Sequence, residues 1–358
     1  MSPRELLADS AAVETDDERL DAFDYPDAWA IIADRPAPVR DASRLLVYDR
    51  RTGRVDHRRF LDLPEYVLSG DIVVVNDSRV IPARLAGVKV PSGGHIELLL
   101  TRREEPGVWR VLVKGKVRPG QRIAFDAGGE GEFLDPDDGR ARLRLTPDDP
   151  AWLERVGEVP LPPYIAKVRG ADAAWAEDRS RYQTVYARAD GSVAAPTAGL
   201  HFTGAVFDGL ARRGASVAAV TLHVGPGTFE PVRAERIADH RMAAEWGEVS
   251  PDAARVITRA REAGGRVIAV GTTATRLLET AGAGGALRPY NGETDVFIRP
   301  GHRWRVVDAL LTNFHLPRST PLLLAAALCG RAALLELYRE AAAEGYRFYS
   351  YGDAMLIL

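Results

Sequence analysis

The chain has 358 residues, of which 46% are hydrophobic and 27% are charged, and its formal net charge at pH 7 is −3. This composition is typical of a globular protein with two or three domains. No run approaches the roughly 20 apolar residues of a membrane span, so a membrane protein is not expected. The net charge neither indicates nor excludes nucleic acid, because local patches decide such binding.

The first part of the chain contains segments typical of an α/β domain. A short helix is expected at 29–33. Strands are expected at 44–48 and at 71–76, where apolar, β-branched residues follow one another. We assign residues 1–78 to the N-terminal part of an α/β domain.

The sequence pattern changes between about residue 80 and residue 146, where short segments of alternating apolar and polar residues are separated by glycine-containing turns. Segments 96–100, 109–114 and 140–145 predict antiparallel strands. Turns at this spacing predict a small β-barrel or sandwich. Because α/β segments flank it, we assign residues 79–150 to an inserted β-barrel domain.

Beyond Pro160 helices and strands alternate, so residues 151–358 are expected to form the main α/β catalytic domain. The predicted fold class is therefore α/β, with a larger α/β domain and an inserted small antiparallel β-barrel. Thr203 and Ser250 are expected to cap helices. The other predicted elements are strands at 215–224, 266–270 and 347–351, and helices at 271–279, 319–328 and 331–344.

Cysteine and histidine usage limits the chemistry of the chain. Cys329 is the only cysteine, which excludes an internal disulfide and a thiolate metal cluster and fits a reducing cytoplasm. The acidic N-terminal segment lacks an apolar signal core, so export is not expected. Histidine spacing matches no metal motif, and acid–base use of an imidazole is favoured over a metal site.

One stretch, residues 182–229, mixes small residues, hydroxyls, histidines and glycines with apolar runs. This mixture predicts a pocket floor, where backbone approaches a ligand closely; tight turns between strands are the alternative. Two later segments are expected to form the walls of this pocket. At 271–273 a strand turns into a helix whose free amides and hydroxyls suit an anion, and 311–320 brings polar groups to a helix start. An ordinary cap is the alternative for both.

Two segments are rich in arginine and lysine: 50–59, and 102–122 in the predicted barrel. Such runs form either solvated faces or nucleic-acid surfaces.

The motifs in order are VPLPPYI (159–165), YQTVYA (182–187), GSVAAPTAGLHFT (191–203), TLHVGPGTF (221–229), AVGTT (269–273), TNFHLPRST (312–320) and the segment 346–355. On these motifs the chain resembles the S-adenosylmethionine:tRNA ribosyltransferase-isomerases of the queuosine pathway. The likeness extends from Phe23 over almost the whole chain.

The resemblance implies an enzyme that transfers and isomerises the ribosyl part of S-adenosylmethionine. The acceptor is 7-aminomethyl-7-deazaguanine at the wobble position of a tRNA with a GUN-type anticodon. Epoxyqueuosine forms, and adenine and methionine leave. The chemistry is expected to remove a proton next to the sulfonium, with S-adenosylmethionine as co-substrate and no metal or further cofactor. A cytoplasmic protein without a membrane partner is implied.

The resemblance also places site residues. Near the reacting centre we expect Thr197, His201, His223 and Glu245, with proton transfer open among the histidines. Thr272, Thr273 and Arg276 are expected to hold an anionic group, such as the methionine carboxylate or a tRNA phosphate. The other residues expected to bind substrate are Tyr182, Gln183 and Tyr186, which suit a purine, and Gly225, Gly227, Thr228, Asn313, His315 and Arg318.

Two positions depart from the family pattern. The family's His-x-Met-His-x-Glu is HRMAAE at 240–245 here, so Ala243 replaces the second histidine. Lys167 stands where the family tends to have arginine, and a bidentate contact would not survive that change intact. Two alternatives therefore stay open. One is a paralogue that cleaves S-adenosylmethionine or uses a different small-molecule acceptor. The other is a catalytically inactive protein that binds tRNA or a nucleotide.

Overall fold

The structure is a computed structural model that describes residues 19–26, 31–126, 128–135, 139–169, 175–229, 232 and 234–358. It combines a nine-stranded mixed sheet, covered by helices, with a closed barrel of six antiparallel strands. The predicted fold class is confirmed.

The strands, in chain order within the described residues, are β1 Ile31–Ile32, β2 Arg44–Asp49, β3 Arg54–Arg59, β4 Ile72–Asn76, β5 Ser78–Val80, β6 Arg84–Val90, β7 His95–Glu105, β8 Val108–Lys114, β9 Arg122–Ala124, β10 Glu130–Phe133, β11 Arg140–Thr146, β12 Ala189–Ser192, β13 Ser216–Leu222, β14 Glu245–Val249, β15 Val267–Val270, β16 Tyr290–Thr294, β17 Ala309–Asn313, β18 Arg347–Phe348 and β19 Ala354–Ile357. The helices are α1 Pro150–Val156, α2 Pro163–Arg169, α3 Trp175–Arg181, α4 Gly204–Arg212, α5 Pro251–Glu262, α6 Gly271–Ala281, α7 Thr320–Cys329 and α8 Arg331–Ala343.

The main sheet has the order β16-β14-β13-β4-β15-β17-β19-β2-β3. Its middle strands β13, β4, β15 and β17 are parallel neighbours, so their carboxyl ends lie at one edge. Strand β19 runs antiparallel to β17 and begins at that edge. In open α/β sheets ligands bind beyond the carboxyl ends of the strands. We call this edge the catalytic edge.

The middle strands are apolar throughout because both faces of the sheet are covered. In β4, Ile72 and Val74 pack with α5 and α6 on one face, whereas Val73 and Val75 pack with α4 on the other. Helices α7 and α8 add a further core cluster. Among the described residues no single helix is long and apolar enough to cross a membrane, and only the bent pair α7–α8 passes on combined length and composition.

The barrel closes in the order β10-β11-β8-β7-β6-β9. Alternate side chains, such as Leu98, Leu100 and Val111, are buried in its interior. Trp152 of α1 closes against it, and the indole donates to the carbonyl of Gly128 at 2.7 Å. The barrel strands fall inside the predicted segment 79–150, while the domain boundaries themselves stay a prediction.

Local predictions had mixed outcomes. The side chains of Thr203 and Ser250 cap α4 and α5, as predicted. The helix predicted at 29–33 is wrong in its described part, because Ile31–Ile32 form β1 beside β18, and residues 27–30 lie outside the described part. The strand predicted at 347–351 is shorter than expected, because Tyr349 has φ +73° and ends it.

Cys329 is partly buried, and its thiol donates to the carbonyl of Ala325 at 3.3 Å. Burial raises the pKa of this thiol to about 12, so it is an unreactive packing residue.

Candidate active site

Two recesses open at the catalytic edge. The smaller, which we call the pocket, lies between the segment before Thr197, the start of α6 and the end of β17; its polar lining includes Thr197, Thr272, Thr273, Asn313, His315 and Ser350. The larger, which we call the cleft, has a volume of about 1230 Å³ and lies between the barrel and the main sheet. The predicted residues His223, Gly225, Gly227 and Glu245 line the cleft.

A buried hydrogen-bond network joins three predicted residues at the pocket. The hydroxyl of Thr197 donates to Asn313 Oδ1 at 2.8 Å. Asn313 Nδ2 lies 3.3 Å from His201 Nε2, and His201 Nδ1 lies 2.8 Å from the hydroxyl of Ser43. Ser43, His201 and Asn313 are buried. The structure thus brings together three residues that the sequence singled out, and it adds Ser43, which the sequence did not.

Both ring nitrogens of His201 have protein partners, and the ring packs on Phe60 with 5.0 Å between centroids. Burial lowers the pKa of His201 to about 4, because a charged imidazolium would be desolvated there. His201 is therefore neutral at physiological pH and occupied by protein groups.

His315 is held in a similar neutral state at the pocket wall. Its Nε2 lies 2.7 Å from the hydroxyl of Thr312, and its backbone N–H donates to the hydroxyl of Tyr338 at 2.8 Å. Burial lowers the pKa of His315 to about 3. The expected location of His315 beside a ligand pocket is supported by its place in the lining.

His223 follows β13 directly and faces the cleft. Its Nδ1 shares a 2.7 Å hydrogen bond with the hydroxyl of Ser78, and its ring stacks on Trp246 with 5.0 Å between centroids. A side chain at Gly191, whose φ is +146°, would bring its Cβ within 2.7 Å of His223 Nε2. Burial lowers the pKa of His223, so the neutral imidazole is favoured.

Glu245 begins β14 and forms a buried ion pair with Arg276 of α6. The other carboxylate oxygen of Glu245 accepts the backbone N–H of Gly225 at 2.7 Å. Arg276 also donates to the carbonyls of Val296 and Thr294, at 3.1 Å and 3.3 Å. The pair fixes the glycine segment of the cleft. The anion-holding role expected of Arg276 gains no support from these contacts, because all three nitrogens already donate to protein groups.

Thr272 and Thr273 lie at the start of α6, as predicted, and both line the pocket. Thr273 Oγ1 accepts from Asn76 Nδ2 at 3.1 Å. Asn76 also bonds both backbone groups of Leu222, at 2.9 Å and 3.0 Å. This buried asparagine therefore ties β4, β13 and α6 together at the catalytic edge.

Several residues expected to bind a purine serve the protein instead. Both amide atoms of Gln183 bond the backbone of Val80, each at 3.1 Å. Tyr182 is buried edge-on against Tyr351. The hydroxyl of Tyr186 fills the space where Gly199 has no side chain, since a Cβ there would lie 1.9 Å from it. None of the three lines the pocket or the cleft, so stacking on a purine gains no support.

Two further candidates lie at the margin of the site, and the two departures from the family pattern differ in location. Arg318 is exposed, has φ +56° and pairs with Asp24. Thr228 belongs to the 3-10 helix Pro226–Phe229 beside the cleft. The departure Ala243 lines the cleft, and Lys167 is exposed on α2 and lines neither recess.

The barrel contributes a basic wall to the cleft. Its members are Arg102, Arg103, Arg110, Arg140 and Arg142. Four of them form ion pairs, with Glu293, Asp148 and Glu104, and the last of these carboxylates pairs with both Arg110 and Arg142. Arg140 has no ion pair within the described part of the chain. The basic stretch predicted at 102–122 thus reaches the cleft only through its first arginines, and β11 supplies two more.

Some polar residues of the site were not singled out from sequence. Asp77 and Ser78 follow the apolar run of β4, and Asp353 precedes β19. Asp77 is buried and accepts from the hydroxyl of Thr221 at 2.6 Å and from Arg188 at 2.8 Å. For Asp77 and Ser78, the available signal was a position directly after the carboxyl end of a predicted buried strand. Within the described ranges, no group of three or more His, Cys, Asp or Glu residues is placed to hold a metal ion.

The family model described as queuosine biosynthesis protein matches residues 20–357. This chain belongs to that family. A relative from Symbiobacterium thermophilum, named S-adenosylmethionine:tRNA ribosyltransferase-isomerase, is 50% identical over 347 residues, covering 95% of this chain and all of the relative. One of the same name from Anaeromyxobacter dehalogenans is 51% identical over 350 residues, covering 95% of this chain and 99% of that protein.

A solved structure agrees with these relatives. The S-adenosylmethionine tRNA ribosyltransferase of Thermotoga maritima is 37% identical, with a TM-score of 0.54, and covers 94% of this chain and 100% of that chain. The resemblance read from the motifs is confirmed, and with it the expectation that the chain is a ribosyltransferase-isomerase enzyme.

Replacing Arg276 with methionine is expected to destabilise the fold by about 3–5 kcal/mol, because it removes the buried guanidinium that compensates the charge of the Glu245 carboxylate. The side chains of this pair are 7% and 5% exposed. The matched control is Arg255→Met, whose pair with Asp252 is 55% and 85% exposed and is worth at most about 1 kcal/mol. Urea unfolding of both variants checks this; equal losses would contradict a structural role for the buried pair.

Proposed function

We propose that this family member moves the ribosyl part of S-adenosylmethionine onto 7-aminomethyl-7-deazaguanine in tRNA and isomerises it to epoxyqueuosine. Adenine and methionine leave. The observation that carries this proposal is the cleft, in which arginines of the barrel face His223 and Glu245 of the main sheet. One space thus combines a surface for RNA phosphates with candidate reacting groups.

A polyanion fits the barrel side of the cleft. Arginine side chains contact phosphate oxygens bidentately, and each contact contributes a salt-dependent term to RNA affinity. The cleft volume of about 1230 Å³ exceeds that of a nucleobase, and single-stranded anticodon loops readily present an extruded base. We infer that the wobble nucleotide of a GUN anticodon enters here.

Among the histidines of the site, His223 is the best candidate for the base that removes the proton next to the sulfonium. Its Nδ1 is oriented by Ser78, and its Nε2 bonds no other group among the described residues. His201 and His315 have pKa values near 4 and 3 and are weak bases for this step. A neutral His223 can accept a proton and does not repel the cationic sulfonium.

The departure at Ala243 is compatible with this assignment. Its methyl group lies 3.1 Å from where a Cβ on Gly227 would stand, in the same cleft as His223. A reaction whose base is His223 does not require a second imidazole at that position. We propose S-adenosylmethionine as the sole co-substrate, tRNA as the macromolecular partner and the cytoplasm, where tRNA is found, as the location.

Incubation with S-adenosylmethionine and tRNA that carries 7-aminomethyl-7-deazaguanine is expected to release adenine and to increase the mass of the tRNA. Tandem mass spectrometry of the digested tRNA identifies epoxyqueuosine. The control is the same tRNA with guanine at the wobble position. Adenine release without tRNA would favour a paralogue that cleaves S-adenosylmethionine. Absence of both products, with ligand binding retained, would overturn the proposal in favour of a binding protein.

His223→Gln is expected to lower kcat by about 10²–10⁴-fold, the range for loss of a general base. Because burial lowers the pKa of His223 below its usual 6.5, the wild-type rate should fall only as the pH drops through that lowered pKa and should be flat above it. The control is His57→Gln, on the outer strand β3. A pH–rate profile of His223→Gln that keeps the wild-type acid limb would contradict the assignment.

Arg140→Gln is expected to weaken tRNA binding and to reduce the slope of log Kd against log salt by about 1, while leaving the affinity for S-adenosylmethionine unchanged. Arg255→Gln, on α5 outside the cleft lining, is the matched control. Filter binding over a salt series measures both variants. An unchanged slope for Arg140→Gln would show that the cleft does not contact RNA phosphates through this residue.

A further inference from the structure

The network behind the pocket has a fixed direction, because both of its ends are backbone carbonyls. At one end Asn313 Nδ2 lies 3.4 Å from the carbonyl oxygen of Asp353, which can only accept a hydrogen bond. This contact sets the orientation of the Asn313 amide, since a flipped amide would place two acceptors together. The amide nitrogen, a pure donor, therefore also faces His201 Nε2.

The imidazole of His201 continues the same donor-to-acceptor order toward Ser43 and the carbonyl of Arg40. Because His201 Nε2 accepts from Asn313, a neutral His201 carries its proton on Nδ1. The Nδ1–H group then donates to the hydroxyl oxygen of Ser43 at 2.8 Å. The hydroxyl of Ser43 in turn donates to the carbonyl of Arg40 at 3.1 Å. Each N–H and O–H group of this hydrogen-bond network therefore has an acceptor.

The orientation of the Asn313 amide also determines which atoms Thr197 presents to the pocket. The oxygen of the Asn313 amide faces the hydroxyl of Thr197, so the single hydroxyl hydrogen of Thr197 is donated inward at 2.8 Å. Ser43, His201 and Asn313 are at most 5% exposed, so water does not compete for these bonds. Thr197 is partly exposed and lines the pocket with only its lone pairs available.

We propose that Thr197 is an acceptor-only contact for an N–H or O–H donor of the substrate, and that Ser43, His201 and Asn313 are positioning residues that fix this polarity. The choice of substrate rests on the proposed function. In the proposed reaction two substrates offer such an N–H or O–H donor. S-adenosylmethionine has its hydroxyls and its ammonium group, and the tRNA base has its aminomethyl group. A pocket acceptor that cannot become a donor discriminates against ligands that offer an acceptor at this position.

The direction of the network is measurable without any activity. Long-range proton–nitrogen NMR spectra of protein labelled with ¹⁵N-histidine distinguish an imidazole protonated on Nδ1 from one protonated on Nε2. The His201 signal is assigned by its loss in His201→Gln. We expect His201 to be protonated on Nδ1, because Asn313 Nδ2 donates to its Nε2. A wild-type His201 protonated on Nε2 would overturn the proposal.

The contact itself is tested with two variants of Thr197. Thr197→Val keeps the shape and removes the hydroxyl, whereas Thr197→Ser keeps the hydroxyl. We expect Thr197→Val to weaken one substrate by about tenfold or more and Thr197→Ser to stay within about threefold of wild type. Calorimetry gives the Kd of S-adenosylmethionine without tRNA, and steady-state kinetics give the KM of tRNA.

The two readouts identify the donor. A raised Kd for S-adenosylmethionine places the donor on that molecule, and a change in the tRNA KM alone places it on the aminomethyl base. If Thr197→Val changes neither, the contact does not exist. If the enzyme assay fails with the proposed tRNA, the NMR spectra and the calorimetric Kd of S-adenosylmethionine still test this inference.

A double-mutant cycle tests whether Ser43 acts through Thr197 rather than on the fold in general. Ser43→Ala is expected to reduce kcat/KM in the wild-type background and to have at most about half that effect, on a logarithmic scale, in Thr197→Val. Thermal melting of each variant confirms a folded protein. Additive losses would show that Ser43 supports the fold only and would overturn its positioning role.

Discussion

The site depends on how the buried backbone is satisfied where the parallel strands stop. Beyond the ends of β4 and β13 the chains diverge and their N–H and C=O groups lose strand partners, yet the region is too buried for water to replace them. The amide of Asn76 fills this role for Leu222 and reaches Thr273 on α6. A side chain that bridges two strands and a helix fixes where the pocket and the cleft open.

On the main-sheet side of the site, three histidines and the pair of Glu245 and Arg276 add no net charge. Burial holds His201, His223 and His315 neutral, and the formal charges of Glu245 and Arg276 compensate each other. The cationic sulfonium of the proposed substrate would therefore meet no imidazolium there. The same burial separates two kinds of histidine: those whose ring nitrogens are used to build the wall, and His223, which retains a nitrogen toward the cleft. Sequence alone shows only that all of them are histidines in similar motifs.

That limit explains what the sequence could and could not predict. Apolar runs and caps decided β4, β15, α4 and α5 correctly, because these signals are local. The pair Ile31–Ile32 was assigned wrongly because its strand partner lies more than 300 residues away. The sequence singled out Thr197, His201 and Asn313 separately, and only the structure joins them in one network with Ser43. Polarity likewise does not reveal whether Gln183 bonds a ligand or, as the structure has it, the backbone of Val80.

The proposed binding of tRNA in the cleft requires an acidic chain to accommodate a polyanion. The arginines that line the cleft are mostly paired with carboxylates such as Glu104, Asp148 and Glu293 in exposed pairs. Exposed pairs are worth little, so a phosphate can displace a carboxylate at small cost. Before RNA binds, the carboxylates hold the guanidinium groups in position and reduce the positive electrostatic potential that would attract any nucleic acid. Binding then requires several phosphates at matching positions, which favours a folded RNA over a random strand and permits release after a single modified base.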